Sequence, residues 1–397
     1  MISGFILNFI LYLLSWIIPK QKGFILCGGG LGDKFSGNPK YFYLYLHKIQ
    51  DNHITKYAWI TKNKSLYKKM QKQKLPVLYG FSLKGFWSIL KAQYLIIESG
   101  PAMKKFGHDI GYQRLFMGNF KIIQTWHGSP RKRILLDALK DRGLNTPIDW
   151  MYFHLERMEL RNLYCILAMG NEEKIFLQQA FDNPNVHILG YPKNDILLDG
   201  LEKFGLQKDW STYQKVILYA PTFRDKLSNL NAFDMNFLEQ LNQFLKNKNW
   251  IFLIKKHPYD KFLQISNKFS NIVDVSTKYE DVQILLAQTD ILISDYSSIY
   301  VDFLLTKRPI IFYAYDYDSY QLKSRKLHYN LFQNAPGRVC TNQLDLLKYL
   351  ENIEINISKY IKIYQKNLNN FHKYQDNQSS KRLLQYLIVN NAIKSKE

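Results

Sequence analysis

The sequence contains only three cysteines, Cys27, Cys165 and Cys340, and they lie far apart. No CxxC pair or cluster of cysteine with histidine occurs, so neither a disulfide framework nor a structural zinc site is predicted. An HExxH motif is also missing, and we expect neither a catalytic metal nor a tightly bound cofactor. The segment GGGLGDKFSG is only a loose relative of the GxGxxG dinucleotide fingerprint.

Acidic residues are scarce relative to basic ones. The 397 residues include 54 Lys and Arg against 33 Asp and Glu, which gives a net charge of +21. This excess favours an anionic partner, and the candidate classes are nucleic acids, anionic membrane surfaces and phosphorylated substrates. We expect no nucleic acid, because the cations are spread along the chain and no RRM-like or helix-turn-helix signature occurs. The sequence leaves the oligomeric state open.

The first 18 residues contain no charged side chain. They lack the basic start and the cleavage site of a secretory signal, and their length is borderline for a membrane span of roughly 20 residues. On a helical wheel the polar residues form one narrow stripe: Gly4, Asn8, Tyr12 and Ser15. We therefore predict a membrane-associating helix over residues 1–19, with Lys20 and Lys22 meeting lipid phosphates. Whether it spans the membrane or lies on it stays open, and the alternative is a buried core helix.

Short apolar segments alternate with amphipathic helical patterns along the rest of the chain. This rhythm predicts βαβ units and two doubly wound, Rossmann-like α/β domains. We place an N-terminal domain at 20–205, a C-terminal domain at 206–355, and basic C-terminal helices at 356–397. In such sheets ligands bind at the carboxyl ends of the strands.

Four polar clusters follow predicted strands at these ends. They are TWHGSPRKR at 125–133, APTFRD at 220–225, KKHP at 255–258 and SDYSS at 294–298. In the last cluster, Ser297 and Ser298 are predicted to begin a helix, SIYVDFLL, whose N-terminus favours an anion. The alternative is a serine N-cap with Asp295 stabilising the turn, which is compatible with phosphate binding.

The cations of the clusters suit a diphosphate. Arg224 can fork onto phosphate oxygens, although a pair with Asp225 is the alternative. Strand alternation predicts that Lys256 points away from Lys255 and His257. A protonated His257 can donate to phosphate, or it can be a half-buried cap of the next element.

The motifs TWHGSPRKR, GYPKNDIL, YAPTFRD, KKHP, SDYSSIYVDFLLTKRPIIFYAYD and APGRV occur in the order found in one family. The series resembles the CDP-glycerol glycerophosphotransferases, which include the teichoic-acid polyol-phosphate primases and polymerases. The resemblance covers most of residues 20–340. It implies a GT-B fold, with two Rossmann-like domains facing a central cleft, and peripheral or monotopic association with the cytoplasmic face of the bacterial cell membrane.

The resemblance also implies roles for individual residues. His127 and His257 would be catalytic, with His127 as the general base and His257 stabilising the leaving CMP together with Arg224. The implied donor-binding residues are Thr222, Arg224, Lys256, Asp295, Ser297, Ser298 and Asp302. The implied acceptor-side residues are Lys34, Asn38, Gly128 and Ser129.

The implied reaction transfers a polyol phosphate from CDP-glycerol, or CDP-ribitol, to an acceptor hydroxyl and releases CMP. The acceptor would be a lipid-linked saccharide of the undecaprenyl-diphosphate type or its polyol-phosphate extension, in teichoic-acid or capsule synthesis. Ser129 stands where the family usually has Thr, and SRKLHYNLF lacks the family's glycine after the YAYD strand. The chain length favours a primase or a capsule-type transferase over a long polymerase.

Two other classes stay open at this point. One is a GT-B glycosyltransferase or epimerase with a UDP-sugar donor, for which Glu280 is the one nearby candidate to hold a ribose. The other is a non-enzymatic binder of nucleic acid or anionic lipid, suggested by the net charge.

Overall fold

The computed structural model describes residues 10, 12–49, 51–98, 119–130, 133–222, 232–256, 268–323 and 330–393. These residues form two compact units. The first holds the described residues up to His127, then Ile134–Asp195, and the chain from Asp376 onward. The second holds the described residues of 128–133 and Ile196–Gln375. The prediction placed the boundary after residue 205, whereas the chain here passes into the second unit after Asp195.

The first unit is built on a seven-stranded parallel sheet. Its strands are β1 Gln21–Cys27, β2 Lys56–Thr61, β3 Val77–Tyr79, β4 Ala92–Ile97, β5 Lys121–Gln124, β6 Cys165–Ala168 and β7 Val186–Ile188. The strand order is β3-β2-β1-β4-β5-β6-β7, the Rossmann order with one strand added. This order reverses direction between β1 and β4, where a doubly wound sheet leaves a crevice for ligands.

Helices connect these strands, and polar side chains cap several of them. They are α1 Gly37–Lys48, α2 Lys64–Lys72, α3 Leu83–Lys91, α4 Leu135–Arg142, α5 Pro147–Arg161 and α6 Asn171–Phe181. After β7 comes α7 Asp195–Asp199, at whose first residue the chain passes into the second unit. Asn63 and Ser82 cap α2 and α3 by accepting backbone N–H bonds. Thr146 and Asp149 form a capping box at the start of α5, with Pro147 in its first position.

The second unit repeats the architecture with six parallel strands. They are β8 Lys215–Tyr219, β9 Trp250–Ile254, β10 Ile272–Asp274, β11 Ile291–Ser294, β12 Ile310–Tyr313 and β13 Arg338–Cys340. The order β10-β9-β8-β11-β12-β13 is again the Rossmann order. The predicted pair of doubly wound parallel sheets is therefore confirmed.

The helices of the second unit are α8 Met235–Lys248, α9 Val282–Gln288, α10 Ile299–Phe303, α11 Tyr317–Lys323, α12 Leu331–Asn334, α13 Gln343–Glu351, α14 Ile353–Asn356 and α15 Ile361–Phe371. The predicted helix SIYVDFLL is shorter than expected, because α10 covers five residues and passes into a 3₁₀ turn over Leu304–Thr306. The strands are buried on both faces, as in β9, where all five residues are buried.

The last helix, α16 Ser379–Ile393, belongs to the first unit. Its N-terminus is held by the buried Asp195, whose carboxylate accepts bonds from Ser379 N at 3.0 Å, Ser380 N at 3.0 Å and Ser380 Oγ at 2.8 Å. Tyr94 Oη donates to the Leu387 carbonyl at 3.2 Å. The predicted basic C-terminal helices at 356–397 fall in both units, because the chain returns to the first unit at Asp376.

At the other end of the chain, residues 10 and 12–17 are helical, and the predicted residues 1–9 and 11 lie outside the described part. Ser15 faces the protein, since its Oγ accepts from Asn119 N at 2.9 Å, whereas Trp16 and Ile17 are 61% and 75% exposed. Among the described residues, no helix is both long and apolar enough to cross a membrane.

Lys20 makes bonds within the protein, and its contact with lipid phosphates stays a prediction. Its Nζ donates to the Leu90 carbonyl at 2.7 Å and lies 4.2 Å from the Phe120 ring centre. Burial of this ammonium lowers its pKa to about 8. Lys22 is exposed, as the prediction requires.

Replacing Asp195 should weaken the attachment of α16. Asp195→Asn loses acceptor capacity for three buried donors, so we expect a loss of about 1–3 kcal/mol in the free energy of unfolding. Denaturant unfolding measures it. Lys203→Met is the control, because Lys203 forms only an exposed helical ion pair with Asp199 and should change stability by less than about 0.5 kcal/mol. Equal stability of the two variants would contradict the role of Asp195.

Candidate active site

The glycine-rich segment after β1 packs against one buried carboxylate, that of Glu98, which follows β4. Glu98 Oε1 accepts a bond from Gly30 N at 3.0 Å. A Cβ added to Gly37 would lie 1.5 Å from Glu98 Oε2, and Gly37 also has a φ of +71°. The sequence analysis noted the glycine-rich segment only as a loose relative of the dinucleotide fingerprint, and it missed Glu98. Its position directly after a buried strand was the available signal.

The predicted base, His127, lies three residues beyond the end of β5. Trp126, directly before it, has a φ of +54°, a conformation that a bulky residue adopts only under constraint. The Trp126 ring is buried, and its centre lies 4.4 Å from that of the His127 ring. His127 itself is exposed to solvent. The chain therefore presents an accessible imidazole on a buried support.

Asn38, predicted on the acceptor side, is fully buried and supports this segment. Its Nδ2 donates to the Thr125 carbonyl at 3.0 Å and to the Trp126 carbonyl at 2.7 Å. Its Oδ1 accepts from Lys193 N at 3.1 Å. Lys193 was missed as a site residue, although its motif GYPKND was noticed in the sequence.

The environment of His127 favours the neutral imidazole. Desolvation, followed by the positive charge of Lys193, lowers the pKa of His127 to about 4, and a hydrogen bond with the main chain of Glu98 opposes this. A neutral imidazole at pH 7 can accept a proton, as a general base must.

The other residues predicted on the acceptor side are Gly128 and Ser129, which directly follow His127, and Lys34, which lies in the glycine-rich segment after β1. Lys34 is exposed, whereas Gly128 and Ser129 are buried. Gly128 belongs to the second unit, where an added Cβ would lie 3.1 Å from Ser298 Oγ. No side chain larger than hydrogen fits at Gly128 without displacing that hydroxyl.

In the second unit, Asp295 joins the loops after β8 and β11. It is fully buried, and its carboxylate accepts from Thr222 N at 2.9 Å and Thr222 Oγ1 at 2.6 Å. It also accepts from Tyr296 N at 2.5 Å and Ser297 N at 3.2 Å. The alternative in which Asp295 stabilises the turn is thus confirmed, and contact of Asp295 with a donor stays a prediction.

The predicted serine cap differs in detail. Ser298 occupies the N-cap position of α10 without a side-chain cap bond, and Ser297 Oγ accepts from Ile299 N at a long 3.4 Å. Asp295 already occupies the N–H of Ser297, so the anion site predicted at this helix start has fewer available donors. Both hydroxyls are half-buried. Asp302 is buried and accepts from Gln283 Nε2 at 3.2 Å.

The two lysines after β9 hold the following loop. Lys255 Nζ donates to the carbonyls of Ser276 and Tyr279, both at 2.6 Å, and Lys256 Nζ pairs with Asp274 at 2.7 Å. Strand alternation does not apply to the two lysines, because β9 ends at Ile254 and both residues lie beyond it. The predicted contact of Lys256 with a donor stays a prediction.

Arg224 and His257 lie outside the described residues, as do Arg131 and Lys132 of the basic run. The described cysteines are buried free thiols in β1, β6 and β13. Within the described part of the chain, no group of three His, Cys, Asp or Glu side chains is placed to hold a metal ion. Glu280, the residue that favoured a UDP-sugar enzyme, is exposed.

Two Rossmann-ordered parallel sheets with polar side chains at their carboxyl ends define a doubly wound α/β protein. The sequence profile of the CDP-glycerol:poly(glycerophosphate) glycerophosphotransferase family matches residues 10–389. The chain belongs to this family, and the predicted recognition and transferase class are confirmed. The family does not favour the UDP-sugar alternative.

Individual relatives give the extent of the likeness. A teichoic acid glycerol-phosphate transferase of Staphylococcus aureus (strain NCTC 8325 / PS 47) is 31% identical over 374 residues, covering 89% of this chain and 90% of the relative. A teichoic acid poly(glycerol phosphate) polymerase of Bacillus subtilis (strain 168) is 27% identical over 360 residues, covering 86% of this chain but 45% of the relative. This chain thus spans less than half of that polymerase.

One solved structure shows the same fold. The wall teichoic acid polymerase TagF superimposes with a TM-score of 0.77 at 24% identity, covering 98% of this chain and 94% of the TagF chain. The likeness supports the fold of two Rossmann-like, parallel-sheet domains.

Gly37→Ala should displace the Glu98 carboxylate. An alanine at position 37 would have to adopt a positive φ and would also clash with the Glu98 carboxylate. At Gly205 an alanine would meet only the first difficulty, because φ is +69° but no atom lies within 4 Å of an added Cβ. We expect Gly205→Ala to cost about 1–2 kcal/mol. Gly37→Ala should cost about 1–3 kcal/mol more, because a buried acceptor loses its place. Thermal and denaturant unfolding of both variants measure the difference, and equal losses would show that the close approach is unimportant.

Proposed function

We propose that this chain transfers glycerol phosphate from CDP-glycerol to a hydroxyl of a teichoic-acid-type acceptor and releases CMP. The observation that carries the proposal is the exposed, neutral His127 on a buried support, in a chain that belongs to a glycerophosphotransferase family. The relative that this chain covers almost completely bears the name of a teichoic acid glycerol-phosphate transferase.

In the proposed reaction, the acceptor oxygen forms a bond to the β-phosphorus of CDP-glycerol. The bond from that phosphorus to the bridging oxygen breaks, and CMP leaves with the electron pair. His127 takes the proton of the acceptor hydroxyl. An imidazole that is neutral at pH 7 suits this task, because it keeps its lone pair for the proton.

The second unit is proposed to bind the donor. Ligands of doubly wound sheets bind where the strand order reverses, here between β8 and β11, and Asp295 and Thr222 fix the two loops at this point. The hydroxyls of Ser297 and Ser298 are proposed to face the diphosphate. Arg224 and His257, on the segments after β8 and β9, are proposed to stabilise the charge that develops on CMP.

The acceptor is proposed to be lipid-linked, a saccharide on a polyprenyl-diphosphate-type carrier or its polyol-phosphate extension. The protein would then work at the cytoplasmic face of the cell membrane. The exposed apolar residues of the N-terminal helix support membrane contact, because Leu13, Trp16 and Ile17 face away from the protein while Ser15 faces Asn119. The exposed Lys22 adds a cation for anionic headgroups.

The purified protein should release CMP from CDP-glycerol only when a lipid-linked acceptor is present, and the acceptor should gain the mass of glycerol phosphate. Parallel reactions with CDP-ribitol and a UDP-sugar test the donor. His127→Ala should reduce turnover by about 10³-fold or more while donor affinity, measured by calorimetry, stays within about twofold. Transfer from the UDP-sugar without transfer from CDP-glycerol would overturn the proposal. Loss of donor affinity in His127→Ala would contradict its assignment as the base.

Introducing negative charge on the exposed apolar face of the N-terminal helix should release the protein from membranes. The double variant Trp16→Asp, Ile17→Asp places carboxylates where apolar side chains would meet lipid, so we expect loss of co-flotation with anionic vesicles. Val389→Asp is the matched control, because Val389 is also exposed, at 55%, but lies on α16. Unchanged flotation of the double variant would contradict the role of this helix. Equal loss in the control would indicate a nonspecific charge effect.

A further inference from the structure

Side chains from two distant segments hold every carbonyl between Thr125 and His127. Asn38, in the first turn of α1, donates to the carbonyls of Thr125 and Trp126. Lys193, in the 3₁₀ turn Pro192–Asn194 after β7, donates from Nζ to the carbonyl of His127 at 3.0 Å. The two supports are themselves joined, because Lys193 N donates to Asn38 Oδ1 at 3.1 Å.

The segment needs such support because its backbone is strained. Trp126 adopts a left-handed φ of +54°, a strained conformation that persists only where surrounding bonds enforce it. Gln124 Oε1 accepts from Trp126 N at 2.9 Å, and the Trp126 ring meets the edge of Phe181 with centres 5.3 Å apart. Both sides of the Trp126 peptide are therefore fixed.

Lys193 is an unusual choice for a purely structural support. It is 6% exposed, and burying an ammonium costs more free energy than burying the neutral amide that could make the same bond. What a lysine adds beyond a hydrogen bond is a positive charge next to the imidazole.

We propose that Lys193 is a positioning residue for His127, which it holds through the main-chain carbonyl and beside which it places its ammonium charge, and that Asn38 completes the same support. The inference rests on the proposed function for its catalytic meaning. Its structural content concerns only the first unit.

The charges near His127 are consistent with this role. Lys193 is the charged side chain that lowers the pKa of His127, after desolvation. Glu98 meets the ring through its main chain, while its carboxylate is turned to Gly30 N. The neighbouring Trp126 and the supporting Asn38 carry no charge. Removing the Lys193 charge should therefore raise the pKa of His127 toward its ordinary value of 6.5.

The experiment compares Lys193→Met, which removes both the bond and the charge, with Lys193→Gln, which keeps a donor without the charge. Lys20→Met is the matched control, because Lys20 also donates to a main-chain carbonyl, that of Leu90, from a half-buried position. Ring titrations by NMR of histidine-labelled full-length protein give the pKa of His127, whose signal is assigned by its loss in His127→Asn.

We expect the His127 pKa to rise in both Lys193 variants and to stay unchanged in Lys20→Met. With CDP-glycerol, Lys193→Met should lose about 10- to 100-fold in kcat, with KM for the donor within about twofold. The acid limb of its pH–rate profile should move to higher pH, because the raised pKa protonates the base earlier as the pH falls. Lys193→Gln should keep a higher kcat than Lys193→Met, but the acid limb of its pH–rate profile should move to higher pH in the same way.

An unchanged ring titration in the Lys193 variants would overturn the proposal, even if their stability fell. If Lys193→Met does not fold, as judged by its thermal transition, Lys193→Gln decides the question alone. The titration needs no substrate, so it still decides if the wild-type protein fails to use CDP-glycerol. In that case the proposed function fails and the support of His127 is judged separately.

Discussion

The bonds from one buried amide, that of Asn38, determine whether His127 has a defined position. A backbone carbonyl that is buried without a donor costs free energy, and three consecutive carbonyls after β5 lie beyond the reach of the sheet ladder. Asn38 satisfies two of them and also receives the main-chain N–H of Lys193. The strained backbone of Trp126 and the exposed imidazole beyond it are possible because protein donors satisfy these buried carbonyls.

In the second unit, a buried carboxylate fixes the loops beyond the strand ends, as Asn38 does in the first. Asp295 gathers donors from both of the loops that flank the strand reversal, including the backbone and hydroxyl of Thr222. A buried charge is tolerated here because several hydrogen bonds replace its hydration. The cost is that these N–H groups are occupied, so charge stabilisation of a donor must depend more on hydroxyls and on cations than on the start of α10.

Local patterns predicted the strands well, whereas contacts between residues far apart in the sequence could not be predicted from such patterns. In β2, whose sequence is KYAWIT, the apolar, β-branched and aromatic residues indicate a strand by themselves. The bond from Lys193 to His127 joins residues 66 positions apart, and no local pattern encodes it. Ser298 was expected to cap its helix because serine often does, but Asp295 organises the turn instead. Likewise, no local pattern predicted that Lys256 pairs with Asp274.

The attachment of α16 to Asp195 has a consequence for synthesis on the ribosome. The first unit contains the start of the chain, yet its packing is complete only when residues from 376 onward have been translated. The second unit, apart from the short segment 128–133, is one continuous stretch and can close earlier. Synthesis from the N-terminus therefore completes the seven-stranded unit only after α16 has been made, because the Asp195 carboxylate and the Tyr94 hydroxyl lack these partners until residues 379–387 emerge.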